Sequence, residues 1–197
     1  MPRTSVLALV AVALVAALAG AQTWGAYSAT TANTANSFAS GSVALGDNDS
    51  DAAMLTLAAA VPGATDTGCI TVSYTGSLAS AVRLYGTTTG TGLAPYLDLK
   101  VTRGSFSGGP PAFDACTTFT ADVTDYLGAG AGIIYNGTLQ DFADDYAAGH
   151  VDPLAASPET WTTNESHVYK LQITLQDNPS AQGKTAPQTF TWEARNT

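Results

Sequence analysis

The stretch Tyr96–Thr102, YLDLKVT, alternates apolar and polar residues along its length. Its apolar members share one face and its polar members share the other: Leu97, Leu99 and Val101 against Asp98 and Lys100. A period of two is typical of a strand that buries one face. The segment His167–Leu175, HVYKLQITL, is the strongest strand prediction in the chain. Together these two segments predict a fold built on β-strands.

The composition of the 197-residue chain also favours an all-β protein. Glu and Lys, which favour helices, number only three each, whereas Thr, which suits a pleated strand, occurs 28 times. A hydrophobic share of 45% excludes a disordered chain, and a charged share of 12% argues against a coiled coil.

Other short apolar segments, separated by Gly, Pro and Asn turns, raise the expected number to about eight to ten strands. The further strand predictions are Ser37–Leu45, Cys69–Tyr74, Leu78–Tyr85, Gly132–Tyr135 before a turn at Asn136-Gly137, and Thr189–Ala194. This pattern predicts a two-sheet β-sandwich. The spacing of Leu139, Phe142 and Tyr146 predicts one short helix ending at Gly149.

The N-terminus has the pattern of an export signal. Arg3 precedes the apolar run Val6–Ala19, which is too short for a membrane span of about 20 residues and suits the core of a signal peptide. A retained N-terminal anchor is the alternative. We expect a secreted protein, located outside the cell or at its surface.

The two cysteines, Cys69 and Cys116, are expected to form a disulfide. An exported chain meets oxidising conditions, and an even cysteine count suits pairing. Two buried free thiols are the alternative.

The net charge of −9 provides no basic patch for phosphates, so we expect no nucleic-acid partner.

The acidic run holds Asp47, Asp49 and Asp51 at the first, third and fifth positions of a calcium loop. Ala52 and Ala58 stand where that loop requires Gly and Glu. We expect no cofactor and favour an ordinary acidic turn, with a weak, open calcium site as the alternative.

The segment that follows the leader is small and uncharged. Ala26–Phe38 reads AYSATTANTANSF and lacks the large apolar residues of a core-facing helix. It suits an extended segment that can be buried without a charge penalty. A flexible tail is the alternative interpretation.

Several of these stretches resemble the TasA/camelysin family of exported proteins. The leader junction Thr23-Trp24-Gly25-Ala26-Tyr27 is the most specific match. Looser matches follow throughout the chain: Phe38, Ala39, Gly41, Val43 and Leu45, the Pro62-Gly63 turn, the Thr75-Gly76-Ser77 turn, and Asp177–Pro179 through Gln182-Gly183 to Phe190–Ala194.

The resemblance implies a jelly-roll-like β-sandwich and a cut between Gly25 and Ala26 by a SipW-type signal peptidase. It predicts a signal peptide over 1–25, an N-terminal arm over 26–36 and one sandwich domain over 37–197. It further implies a fibre or biofilm-matrix subunit that joins head to tail with its own copies, with an accessory matrix protein as a further partner. The freed arm adds to the next subunit as a donor strand, through Ala26, Tyr27, Ala29, Thr31, Asn33 and Ala35.

Catalytic patterns are absent from the sequence, and we expect no enzyme. Camelysin-like relatives are described as metallo-endopeptidases, but the only histidines, His150 and His167, belong to no HExxH motif. We therefore expect both histidines to be structural and rank a metalloprotease last. A monomeric secreted surface, adhesion or fibre-accessory module is the main alternative to a fibre subunit.

Overall fold

The computed structural model describes residues 28–29, 42–58, 60–109, 111–151 and 160–196. This part of the chain forms two antiparallel β-sheets that face each other, as predicted. The strands are β1 (Ser28–Ala29), β2 (Leu45–Asp47), β3 (Thr65–Tyr74), β4 (Ser80–Thr88), β5 (Leu97–Phe106), β6 (Phe119–Ala121), β7 (Ile133–Thr138), β8 (His150–Val151), β9 (Thr160–Trp161), β10 (Glu165–Leu175) and β11 (Gln188–Asn196).

The first sheet has the order β1-β11-β4-β8, and β9 also pairs with β4. The second sheet has the order β2-β3-β10-β5-β6, and β7 also pairs with β5. The strongest predicted strand, β10, lies at the centre of the second sheet, where Leu171 is opposite Gly68 of β3 and Val101 of β5. A strand with neighbours on both sides can pair its main-chain N–H and C=O groups on both edges, as a buried strand requires.

The core lies between the sheets and confirms the predicted alternation. Leu97, Leu99 and Val101 of β5 are buried in the core, while Asp98 is exposed. On the other strands the core residues also recur every second position: Ile70, Val72 and Tyr74 of β3, and Tyr169, Leu171, Ile173 and Leu175 of β10. Phe190 and Trp192 of β11 pack against this core but are only partly buried.

The predicted helix up to Gly149 is wrong. Within residues 139–149 only Leu139–Asp141 form a 3-10 turn, which Thr138 caps by accepting a hydrogen bond from the Asp141 N–H. The turn ends because Phe142 is extended, with φ −66° and ψ 137°. Its ring is buried against Tyr135, with ring centroids 4.9 Å apart, so tertiary packing overrides the helical spacing.

Two local predictions also need correction. Asn136 and Gly137 lie within β7 instead of forming a turn after it. The predicted strand Ser37–Leu45 becomes a three-residue strand beginning at Leu45, and residues 37–41 lie outside the described part of the chain.

The predicted disulfide between Cys69 and Cys116 is present, with the two Cα atoms 5.3 Å apart. Cys69 lies on β3 and is 2% exposed. Cys116 belongs to the segment between β5 and β6, so the bond fastens that segment to β3.

Candidate functional site

The outer edge of β11, on the side away from β4, is the candidate site. Two hydrogen bonds, one from β4 and one from the residue that follows it, show which main-chain groups of β11 point to this edge. Gly86, opposite Phe190, donates its N–H to the Ala143 carbonyl (2.9 Å) instead of to β11, whereas Thr89 donates to Pro187 (2.9 Å). Main-chain groups alternate in direction along an antiparallel pair. The main-chain groups of Phe190, and by alternation those of Trp192 and Ala194, therefore point to the outer edge.

Only two residues of the described chain pair with this edge. In β1, Ser28 is opposite Arg195 and Ala29 is opposite Ala194, in antiparallel orientation. No other strand of the described ranges lies on this side of β11, which is nine residues long. The stretch Gln188–Glu193 therefore presents an edge to which a further strand can be added.

The corresponding edge of the second sheet, on β3, is covered from Cys69 to Tyr74. The short β2 covers Val72–Tyr74. Below it, the Thr71 N–H donates to the Asn48 side chain (2.9 Å), and the Cys69 carbonyl accepts from the Asp114 N–H (3.1 Å). Capped main-chain groups cannot accept another strand, so the Cys69–Tyr74 part of the β3 edge is closed, whereas no described strand covers Gln188–Glu193 of β11.

Gly68 permits this close cover of β3. A Cβ atom at Gly68 would collide with the side chains of Met54 and Asp114. Met54 and Asp114 come from the two segments that lie over this part of β3, and the Cys69–Cys116 bond fastens the second of them. Close packing of these two segments on β3 thus depends on the absence of a side chain at Gly68 and, for the second segment, on the disulfide.

An apolar cleft of about 490 Å³ lies beside the beginning of β11. Phe190 and Gln188 of β11 line it, together with Met54 and Leu57.

The face of β11 away from the core carries a compact charged group. Glu193 is 6% exposed and accepts hydrogen bonds from the Arg195 Nε–H (2.8 Å) and the Tyr85 hydroxyl (2.8 Å). Burial alone would raise the pKa of Glu193, but these two hydrogen bonds outweigh it and leave the pKa below its usual value. The carboxylate is ionised and paired at neutral pH, which keeps this end of β11 in place.

Of the predicted arm, only Ala29 and its neighbour Ser28 lie within the described residues, in β1. The predicted signal peptide 1–25, the cleavage junction Gly25-Ala26 and the other predicted donor residues lie outside them: Ala26, Tyr27, Thr31, Asn33 and Ala35. Within the described ranges no helix is long and apolar enough to cross a membrane.

The acidic run after β2 forms a turn that uses its own carboxylates. The Asp47 side chain accepts from the Asp49 N–H (3.3 Å), and the Asp49 side chain accepts from the Asp51 N–H (2.8 Å). Burial, more than the neighbouring carboxylates, raises the pKa of Asp47. Among the described residues no group of three or more His, Cys, Asp or Glu side chains is arranged to hold a metal ion.

His167 lies beside a chain of ion pairs on the second sheet. Its Nδ1 is 2.7 Å from an Arg103 guanidinium nitrogen, and its Nε2 is 2.9 Å from the Glu165 carboxylate. Arg103 also contacts Asp122 at 3.2 Å. Because arginine only donates, His167 accepts at Nδ1 and donates from Nε2 to Glu165. The geometry assigns His167 a place in this polar network.

His150 lies in an aromatic cluster at the edge of the core. Its ring centroid is 4.6 Å from that of Tyr135 and 4.8 Å from that of Phe142. Burial lowers the pKa of His150 from 6.5. Burial also raises the pKa of Tyr135 to about 12, so both rings are neutral at physiological pH.

Replacing His150 by Phe should reduce the acid sensitivity of the fold. With the folded-state pKa lowered, the unfolded chain binds the proton first as the pH falls below about 6.5, so that stability declines from there down to the folded-state pKa. His150→Phe removes this contribution and should flatten the curve. Urea unfolding of both proteins at pH 7.5 and 5.5 measures it, and an equal loss of stability in both would contradict this account of His150.

The sequence alone did not single out the caps on β3. Asn48 and Asp114 form hydrogen bonds with residues of β3 that are distant in the sequence, and no local motif indicates such contacts. Nor did the sequence indicate which edge is open, because this depends on the order of strands in the sheet.

Comparison of the chain with models of known protein families finds no match, and comparison with curated proteins finds none either. The all-β sandwich with its disulfide is the class of protein that the structure establishes.

Proposed function

We propose that this chain is a secreted, non-enzymatic structural subunit of extracellular fibres or of a biofilm matrix. After a SipW-type signal peptidase cuts between Gly25 and Ala26, the arm of one subunit adds as a strand to the next. One observation carries the proposal: Ser28 and Ala29, within the predicted arm, pair with the edge of β11 that no other described strand covers. The resemblance of the leader junction to TasA-like proteins supports it.

The chemistry of the arm suits strand addition. Residues 26–36 carry no charge, so burying them against a sheet leaves no unpaired ion. Main-chain hydrogen bonds provide the affinity in such an addition, and small side chains fit beside the strand. A contact between the arm of one copy and the edge of another is head to tail, so it propagates a filament instead of closing a dimer.

Leader removal would act as the trigger for assembly. While the leader is attached, the arm is held at its amino end. Once cut, it can reach a neighbouring subunit outside the cell. An accessory matrix protein could use the same edge to start or end a fibre.

A monomeric secreted surface, adhesion or fibre-accessory module is the second candidate function. The observation in its favour is that Ser28 and Ala29 pair with β11 of their own chain. If this contact holds the arm permanently, each subunit covers its own edge and does not assemble.

Two chains distinguish the candidates, one starting at Ala26 and one starting at Ser37. We expect filaments of the first under electron microscopy, and a single monomer peak of the second in size-exclusion chromatography across a concentration range. Circular dichroism controls for folding of the shorter chain. Filaments from both chains would exclude the arm as donor, and a monomer peak from both would favour the second candidate.

A further inference from the structure

We infer that the apolar cleft beside the beginning of β11 is a binding site for a medium-chain alkyl carboxylate. The alkyl chain lies against the apolar lining of the cleft, and the carboxylate pairs with the ammonium of Lys184. Such a site goes beyond fibre assembly and does not depend on it.

The lining of this cleft is mostly apolar. Met54, Leu57 and Leu93 line it and are only partly buried, so apolar surface remains accessible to water there. Leu97 and Ile173 also line the cleft and belong to the buried core, so the cleft extends from the surface to the core. An apolar ligand that covers these side chains removes their surface from water, which favours binding.

The volume of the cleft suits a small molecule. Its 490 Å³ lies within the range of small-molecule pockets, about 300–1,000 Å³. A second cleft of about 620 Å³ shares Leu57, Leu93 and Lys184 with the first, so the two clefts meet at these three side chains.

Lys184 provides the charge that selects the head group of the ligand. Among the described residues that line the first cleft, it alone is charged. Its ammonium lies 4.8 Å from the centroid of the Tyr96 ring, and no carboxylate of the described ranges lies within ion-pair distance of it. An ammonium has three N–H donors, so contact with a ring leaves donors for a carboxylate. A cation beside an apolar cleft therefore favours an amphiphile with an anionic head group.

The position of Asp177 decides which of the two clefts takes the alkyl carboxylate. Asp177 lines the second cleft, where its negative charge repels a carboxylate. In the part of the chain that the structure describes, no carboxylate lines the first cleft. The alkyl chain is therefore assigned to the first cleft, against Met54 and Phe190.

Equilibrium dialysis of the full chain against decanoate, decanol and decyltrimethylammonium, each below its micelle concentration, tests the site. The three probes share one alkyl chain and differ in the charge of the head group. We expect saturable binding of decanoate, about fivefold tighter than that of decanol, and the weakest binding for the cation. Octanoate should bind about tenfold more weakly than decanoate, because two fewer methylene groups are buried.

Two variants with matched controls locate the site. Lys184→Met removes the charge and keeps the apolar stem, so it should weaken decanoate binding about fivefold and leave decanol binding unchanged. Leu57→Asp places a carboxylate where the two clefts meet and should weaken the binding of decanoate by at least about tenfold. The controls Lys100→Met and Leu127→Asp change residues outside both clefts and should bind like the unsubstituted chain.

Circular dichroism checks the fold of each variant, and Lys184→Met tests the site even if Leu57→Asp does not fold. Equal decanoate binding by Lys184→Met and the unsubstituted chain, or tighter binding of decanol than of decanoate, would overturn the carboxylate assignment. Absence of saturable decanoate binding, or binding that a folded Leu57→Asp variant retains in full, would overturn the site itself. Fibre assembly is measured separately by electron microscopy, so either failure leaves the proposed function standing.

Discussion

The variant Cys69→Ser with Cys116→Ser should lose about 4 kcal/mol of unfolding free energy, from the chain entropy of the loop that the bond closes. The bond joins residues 47 positions apart, so the reduced chain gains much freedom on unfolding. Urea unfolding of the oxidised protein and of the variant measures the difference. The reduced wild-type protein is the matched control, because it lacks the bond and keeps both sulfur atoms.

The same variant should also aggregate. Without the bond, the segment that contains Asp114 is no longer fastened over β3, and the Cys69 carbonyl loses its fixed partner. An uncovered edge strand pairs with other chains. Light scattering of the variant starting at Ser37, which has no arm, separates this aggregation from fibre assembly. A stable, monodisperse variant would show that the bond does not guard this edge.

Replacing Trp161 by Ala should lower the unfolding free energy by about 3–5 kcal/mol, the cost typical of a large aromatic side chain lost from a core. Trp161 is fully buried and packs beside His167, with ring centroids 4.4 Å apart. The two-residue β9 that carries it pairs with β4, so the cavity would also loosen that side of the first sheet.

Val123→Ala is the matched control for Trp161. Val123 is 95% exposed, and its truncation should change stability by less than about 0.5 kcal/mol. Thermal unfolding monitored by circular dichroism measures both variants. If Trp161→Ala lowered the unfolding free energy as little as Val123→Ala, the indole ring would not stabilise the core as described.

The strands were predictable where burial alone decides them. The alternation in Tyr96–Thr102 indicates that one face of the strand is buried, whatever the position of the strand in the sheet. The segment HVYKLQITL forms the central strand of its sheet. The cysteine pairing also followed from the sequence, because a chain with two cysteines allows only one intramolecular pairing.

Elements that depend on tertiary contacts were not predictable. The spacing around Phe142 favoured a helix, yet packing of its ring against Tyr135 and His150 is better satisfied by an extended backbone. The turn signal at Asn136-Gly137 likewise gave way to the pairing of β7 with β5.

Of the two parts of the candidate site, only the arm was predictable from the sequence. The neutral composition of the arm marks it as a segment that tolerates burial. The accepting edge requires knowledge of which long strand ends a sheet and which main-chain groups are already capped, as Asn48 caps Thr71.

A cryo-electron microscopy map of fibres grown from the chain starting at Ala26 tests the central claim most directly. The account predicts a strand antiparallel to β11 whose density continues into the neighbouring subunit. A strand at that position that continues into Ser42 of the same subunit, or a fibre whose subunits touch through other surfaces, would contradict it.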